Sequence, residues 1–484
     1  MMINVKTKIK KFIEEDDKST AKAALYYMIC QLLVRGMAFL TTPIFSRIMN
    51  KAEYGMVSNI LAWEAVLYPL LTLNLRVTIN KSRYDYDNDN DSYLASILTI
   101  SGFVVFVVYL IAEINQGIAT HLLGMEMKYI RILFLYIIFY VAFDYQQIQY
   151  NIFLKYRLYV IYSIASSLFS LGLSVVLVCF LDDKPLGRML GIVVPTALIG
   201  TIIYRNAYKR CIRIKKEYFK YAIVMAIPLI PSALSATVLS SSDKIIITKY
   251  CGDDQTAMYA IPYTIASIAA ILWTALNQAW GPWLYDNLNK KEYKRIRDVS
   301  KKFVVVYSIL VVGLMLIAPE MLYILGGKQY LAAINAMPPV VLAMVFQFFY
   351  AFYFDVEYFY GETYVISLGT LLAAIINIIL NIVFVPRFGY VAASYTTLVC
   401  YVLMMVYHFM IVKYKLKKAY IYDTKFFIMF IVSLVLIQSG LVFLYELNLI
   451  RYIVIAMYAL IIICLIKKNK EIVIGFLSKF KKKG

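Results

Sequence analysis

The stretch YAIVMAIPLIPSALSATVLSSSDKIIITKY, Tyr221 to Tyr250, opens with eighteen uncharged residues to Val238 and then meets Leu239, a triple serine and an Asp243-Lys244 pair. Eighteen residues at about 1.5 Å each reach about 27 Å, close to the ~30 Å of hydrocarbon in a bilayer. The run predicts a membrane-crossing helix with charge near its far end. Runs of this kind recur along all 484 residues, of which 62% are hydrophobic and 16% charged. Mean hydropathy is +0.71. A soluble core has no use for so much apolar surface, so the chain reads as an all-α, polytopic membrane protein.

Apolar runs bounded by charged or Gly/Pro/Asn loops define fourteen segments, from 22–45 to 450–466. With the N-terminus inside, inner loops and tails hold 37 of the lysines and arginines, against ten in outer loops, Arg47 and Arg188 among them. That asymmetry predicts both termini in the cytoplasm. The net charge of +20 then records orientation and attraction to anionic lipid, and nucleic acid is not expected as a partner. The polar start, MMINVKTKIKKFIEEDDKST, lacks the pattern of a cleaved leader, so the first segment is expected to remain as an anchor. The tail EIVIGFLSKFKKKG reads either as an interfacial helix or as a solubilising basic end.

Six scattered cysteines without a C-x-x-C pair argue against a disulfide framework, and two histidines argue against a histidine metal site or triad. No cofactor or metal is expected. Loops stay under roughly twenty residues, which leaves no room for a soluble catalytic domain.

The region IFSRIMNKAEYGMVSNILAW can be laid against SSDKIIITKYCGDDQTAMYAIPY, with Arg47 near Lys244 and Gly55 near Ala257. This weak match suggests a six-segment repeat, 1–210 against 211–420, followed by 421–484 with two further helices and the basic tail. Repeats of six build two bundles facing each other across a cavity.

IPLIPSALSATVLSSSDKIIITKYCGDDQTAMYAIPYTIASI, with ALNQAWGPWLY after it, TTPIFSRIMNKAEYG before it and NIILNIVFVPRFGYVAASYTT late in the chain, resembles the bacterial polysaccharide flippases of O-antigen (Wzx) type. These belong to the multidrug/oligosaccharidyl-lipid/polysaccharide exporter superfamily. The resemblance implies a MATE-like fold, two six-helix bundles in a V shape, here with two extra C-terminal helices. It implies translocation of undecaprenyl-pyrophosphate-linked oligosaccharide from inner to outer leaflet of the bacterial inner membrane, by alternating access, for surface polysaccharide synthesis. Implied partners are that lipid-linked oligosaccharide, membrane lipids, and the polysaccharide polymerase and chain-length machinery. Ala257 departs from the family, which more often has glycine there.

A charged headgroup needs a polar, charge-matched path through hydrocarbon, so ionisable residues inside segments are the first candidates. Arg35 lies midway along the first segment, either facing a cavity to attract diphosphate or held in an ion pair. Arg76 ends the second segment, as a substrate-receiving cation or an orientation anchor. Glu64 and Asp144 are either coupling carboxylates or partners for Arg35. Gln147, in a run with Gln146 and Gln149, either bonds sugar hydroxyls or is simply solvated near the inner end of its segment, and Asn277 and Gln278 are further candidates for substrate binding. Asn377 and Asn381 read better as helix-to-helix hydrogen bonds, and Trp280 and Trp283 as an interfacial belt. Asp243 and Lys244 are expected near the outer interface, as a helix-end anchor or a substrate gate. Pro228 and Pro231 mark a candidate kink. Two other functions stay open: export of drugs or small cations, and a membrane glycosyltransferase or O-antigen polymerase.

Overall fold

Backbone amides in hydrocarbon have no water to bond, so a long apolar run closes its hydrogen bonds within one helix. The computed structural model describes residues 20–211 and 214–468, and the described residues form helices joined by short turns. The basic tail lies outside the described residues. In order, the long helices are α1 (Thr20–Ile48), α2 (Lys51–Leu71), α3 (Asn90–Ile114), α4 (Met127–Ile152), α5 (Tyr156–Phe180), α6 (Lys184–Arg210), α7 (Lys216–Ala226), α8 (Ile230–Cys251), α9 (Asp253–Asn289), α10 (Tyr293–Leu316), α11 (Met337–Phe359), α12 (Thr363–Met410), α13 (Thr424–Leu444) and α14 (Asn448–Lys468).

The turns between them are written in local chemistry. Asn50 caps α2 in a reciprocal box, its Oδ1 accepting from the Glu53 amide at 2.8 Å while the Glu53 carboxylate accepts from the Asn50 amide at 2.7 Å. Asp183 caps α6 and Asp423 caps α13 in the same sense, each accepting one amide hydrogen bond. Gly252, at φ +87°, turns the chain from α8 into α9. At Gly389, φ +66° and ψ −156°, α12 breaks in two.

Every segment expected from the sequence falls on a helix, two of them on the two parts of α12. Among the described residues, ten helices are long and apolar enough to cross a membrane, and α2 with the bent Leu75–Asp85 adds an eleventh. That set counts α12 once, joins α7 to α8 and leaves out α4 and α14, so it stands below the fourteen expected crossings. The prolines of the seventh segment do interrupt it: Ile227–Leu229 is a 3-10 turn between α7 and α8.

Two large apolar cores form. One gathers residues between Phe45 and Ala226, the other residues between Ile246 and Leu441. Tyr218, Ala222 and Ala226 of α7 pack into the first core, so the break at Pro228 lets one crossing serve both. Trp280 is 1% exposed in the second core, against Phe303 and Phe352. This corrects the interfacial-belt reading for Trp280: α9 turns that side of the helix toward α10 and α11. The C-terminal helices are pinned through Arg451, 2% exposed, whose guanidinium grips both oxygens of Glu320 at 2.7 Å.

Candidate functional site

Between the two cores lies a cleft of ≈ 350 Å³ lined by α1, α2, α5, α6, α8 and α9. Its polar walls are Thr41, Thr42, Ser58, Ser167, Ser170 and Thr264, and two cations reach it: Arg188 from α6 and Lys244 from α8.

Local sequence explains how Arg188 is held. Pro185 sits in the first turn of α6, and Gly187 and Gly191 let the helix lie directly on α5: a Cβ on Gly187 would sit 2.8 Å from the Leu177 carbonyl oxygen, and one on Gly191 2.2 Å from Ser174 Oγ. That approach brings Arg188 Nη1 to Ser174 Oγ at 2.6 Å, with the guanidinium 4.1 Å from the Phe45 ring centroid. Lys244 Nζ stands 5.6 Å from the Tyr263 ring centroid. Among the described residues neither cation has a carboxylate within ion-pair distance, so both charges rest on neutral partners.

Asp243 corrects its expected place. It is 0% exposed and turns away from the cleft into a hydrogen-bonded set between α8, α9 and α12. Its carboxylate accepts from Asn381 Nδ2 at 2.6 Å, the Thr397 hydroxyl at 2.6 Å and the Tyr259 hydroxyl at 2.5 Å. The helix runs on to Cys251, which keeps this residue inside instead of at a wet helix end. Adjacent residues on a helix point about 100° apart, so Lys244 faces the cleft while Asp243 faces the core. Asn377, accepting from Ser242, and Asn381 supply the interhelical bonds expected of them.

The remaining candidates fall in other places. Asp144 pairs with Arg76, Nε to Oδ2 at 3.5 Å, and accepts the Tyr68 hydroxyl at 2.7 Å. The ion-pair reading gave it Arg35 as partner; α2 bends after Leu71 and brings Arg76 back to α4 instead. Glu64, one turn before Tyr68, has no ion pair among the described residues. Arg35 is exposed on α1 and shares a narrow gap with Gln31, Thr274 and Gln278, so Arg35 and Gln278 do come together. Gln147 is 8% exposed with Oε1 unpartnered among the described residues, and Asn277 turns toward Asp355 on α11, away from the cleft.

The end of the cleft near Asn50 is closed by contacts across the two cores. Ser46 donates to the Leu325 carbonyl at 2.5 Å, Gln329 Nε2 donates to the Ser46 carbonyl at 2.7 Å, and Arg47 Nη2 reaches the Tyr323 carbonyl at 3.2 Å. Gly55 packs on the Asp253 backbone so closely that a Cβ would lie 1.8 Å from its carbonyl oxygen. At the opposite end, Lys215 and Tyr218 hydrogen-bond Asp89, both at 2.6 Å, and hold its carboxyl below the usual carboxylate range.

Residues 20–288 match the sequence family described as Polysaccharide biosynthesis protein. The chain belongs to this polysaccharide biosynthesis family. Its fold resembles that of the lipid II flippase MurJ in an inward closed conformation, with a TM-score of 0.68 and 14% identity over 93% of this chain and all of that one. It also resembles an inward-facing multidrug resistance MATE family transporter of the MOP superfamily, with a TM-score of 0.53 and 14% identity over 85% of this chain and 95% of that one. An uncharacterized membrane protein of Methanocaldococcus jannaschii, MJ1068, is 26% identical over 184 residues, 35% of this chain and 34% of that protein. The match thus spans about a third of that relative's length. At 14% identity the likeness to these two structures speaks for the fold alone: an all-α, multi-pass membrane protein.

Arg188 is the residue that sequence reasoning missed at the site. Its place seven residues after the start of the Leu181-Asp182-Asp183 turn reads as an outer-loop charge, and only the glycines at 187 and 191 hint at tight packing.

Proposed function

We propose that this chain is a flippase for undecaprenyl-pyrophosphate-linked oligosaccharide, moving repeat units for surface polysaccharide across a bacterial inner membrane by alternating access. The observation that carries this reading is the pair Arg188 and Lys244: two cations from opposite sides of one cleft, neither spent on a carboxylate. A diphosphate carries the complementary charge, and a guanidinium offers it a planar fork. The serine and threonine hydroxyls around them suit sugar hydroxyls. Arg35 and Gln278 form a first contact for the headgroup on its way from the bilayer, and Arg76, steadied by Asp144, a second. Glu64 is left as the carboxylate available for coupling on this side.

In this reading 1–210 and 211–420 rock against each other as two six-helix bundles, 421–484 is an appendage, the chain crosses fourteen times, and both termini are cytoplasmic. The membership in a polysaccharide biosynthesis family and the likeness to a lipid II flippase support it. Export of small cations by the same fold is disfavoured, because the two unpaired cations would repel such a substrate in a low-dielectric cleft. A strain lacking the protein is expected to accumulate lipid-linked repeat units on the inner leaflet. Normal surface polysaccharide without such accumulation would refute the reading.

A further inference from the structure

On the side of the cleft away from Asn50, the first core carries a wall of tyrosines that binding of a diphosphate does not use. Tyr136, Tyr140, Asp144 and Gln147 follow one another along α4 at steps of four, four and three, which puts them on one helical face. The Tyr140 ring stacks on Tyr136 at 5.1 Å and meets Tyr68 of α2 edge-on at 5.2 Å. Tyr68 donates to Asp144, and Asp144 pairs with Arg76. From α5, Tyr159 faces Tyr140 and Asp144; its ring meets Tyr27 edge-on at 4.9 Å, and its hydroxyl stands beside Gln31 of α1. Gln31 in turn borders the gap that holds Arg35 and Gln278. The wall thus adjoins the path already traced to the cleft. Leu61 and Ser167 line the cleft, and about 10 Å of helix separates Tyr68 from Leu61, about 12 Å Tyr159 from Ser167.

Elsewhere in this core, tyrosine hydroxyls are spent on the protein. Tyr145, the residue after Asp144, is 0% exposed and bonds Ser101 at 2.8 Å, and Tyr204 of α6 donates to the Ile138 carbonyl at 2.9 Å. Tyr136 and Tyr140 are half-buried instead, and among the described residues neither hydroxyl has a hydrogen-bond partner. Gln147 Oε1 is likewise without one. Three polar groups left open along one helix face mark a surface that meets water or a polar ligand, since a sealed core satisfies such groups. A pyranose ring offers the match: a face of C–H bonds apolar enough to lie on an aromatic ring, and a rim of hydroxyls that both donate and accept. The Asp144 carboxylate, the Arg76 guanidinium and the Gln147 amide are planar groups that meet adjacent hydroxyls in pairs. Charge separates this surface from the cleft. Two cations, Arg76 and Arg35, and two acids, Asp144 and Glu64, lie around the rings, so with all four ionised the wall has no net charge. It therefore favours uncharged sugars, and the diphosphate keeps to Arg188 and Lys244.

We propose that this wall is a binding site for the oligosaccharide part of the substrate, separate from the diphosphate cleft; this rests on the flippase reading given above. Tyr140 and Tyr159 take the faces of uncharged pyranose rings, and Arg76, Asp144 and Gln147 take their hydroxyls. The stretch of helix between wall and cleft means that the rings held here are sugars further along the chain than the one attached to the diphosphate.

Two binding measurements on monodisperse full-length protein in detergent test this. In saturation-transfer NMR, free trisaccharides built of glucose, galactose or N-acetylglucosamine are compared with one that bears a uronic acid. The wild type is expected to transfer saturation to ring C–H protons of at least one uncharged trisaccharide. Tyr140→Ala and Tyr159→Ala are expected to lower that signal at least several-fold, the order of one aromatic contact, and Tyr140→Phe, which keeps the ring, to retain most of it. The proposal is overturned by no signal from any uncharged trisaccharide, by a signal from the acidic one alone, by a signal undiminished in both alanine variants, or by Tyr140→Phe as weak as Tyr140→Ala. Titration of the wild type with farnesyl pyrophosphate separates the site from the reading beneath it. Tyrosine-dependent sugar binding without binding of farnesyl pyrophosphate removes the flippase reading and leaves the sugar site standing. Binding of farnesyl pyrophosphate without sugar binding removes the sugar site and leaves the diphosphate cleft.

Discussion

Arg188 keeps its charge on Ser174 and the Phe45 ring, partners that steady a guanidinium without neutralising it. Lys244 stands the same way over Tyr263. A charge-assisted hydrogen bond contributes about 1.5–3 kcal/mol, so Arg188→Ala is expected to weaken binding of a soluble short-chain prenyl pyrophosphate about 10- to 100-fold, read by titration calorimetry. Arg188→Lys should lose less, because it keeps the charge but not the fork. Unchanged affinity in Arg188→Ala would take that residue out of the site. Arg35, Lys244 and Gln278 are legible in the sequence because a polar residue inside an apolar run announces itself. Arg188 is not, since it lies near a helix end where charge is ordinary, and only tertiary packing turns it inward. Asp243 carried the right signal and the wrong direction: the charge is real, but a one-residue step on a helix separates core from cleft.

The contact between α2 and the start of α9 is set by one missing side chain. Gly55 meets the Asp253 carbonyl with no room for a Cβ, and Tyr54 beside it packs edge-on against Tyr330 at 6.3 Å. Gly55→Val is therefore expected to part the two cores at this end. Met49, 3% exposed, reports the change: as Met49→Cys it should be protected from a membrane-impermeant maleimide, and at least several-fold more reactive once Gly55→Val is added. Protection that survives Gly55→Val would mean that this contact does not hold the end closed. Helices themselves are the most readable elements, because eighteen apolar residues in lipid leave the backbone one solution. Their breaks are readable where Pro228 or Gly389 forces them. The return of Arg76 to Asp144 is not readable, since it depends on how the chain bends after α2, through Leu73 and Asn74 at φ +51° and +50°, conformations that glycine favours and neither residue advertises.

At the scale of the whole chain, two cores share a cleft whose near end is closed and whose walls carry unpaired positive charge. An arrangement of this kind lowers the cost of a diphosphate in hydrocarbon only if the charges are free when the substrate arrives, which is why the absence of carboxylate partners among the described residues carries the functional reading. The most direct measurement is translocation of fluorescent undecaprenyl-pyrophosphate oligosaccharide in proteoliposomes, comparing wild type with Arg188→Ala/Lys244→Ala. The expected result is efficient movement by the wild type and a rate lower by about 100-fold or more in the double variant, two charge-assisted contacts having been removed. A double variant that translocates at the wild-type rate, or a wild type no faster than empty vesicles, would contradict the proposed function.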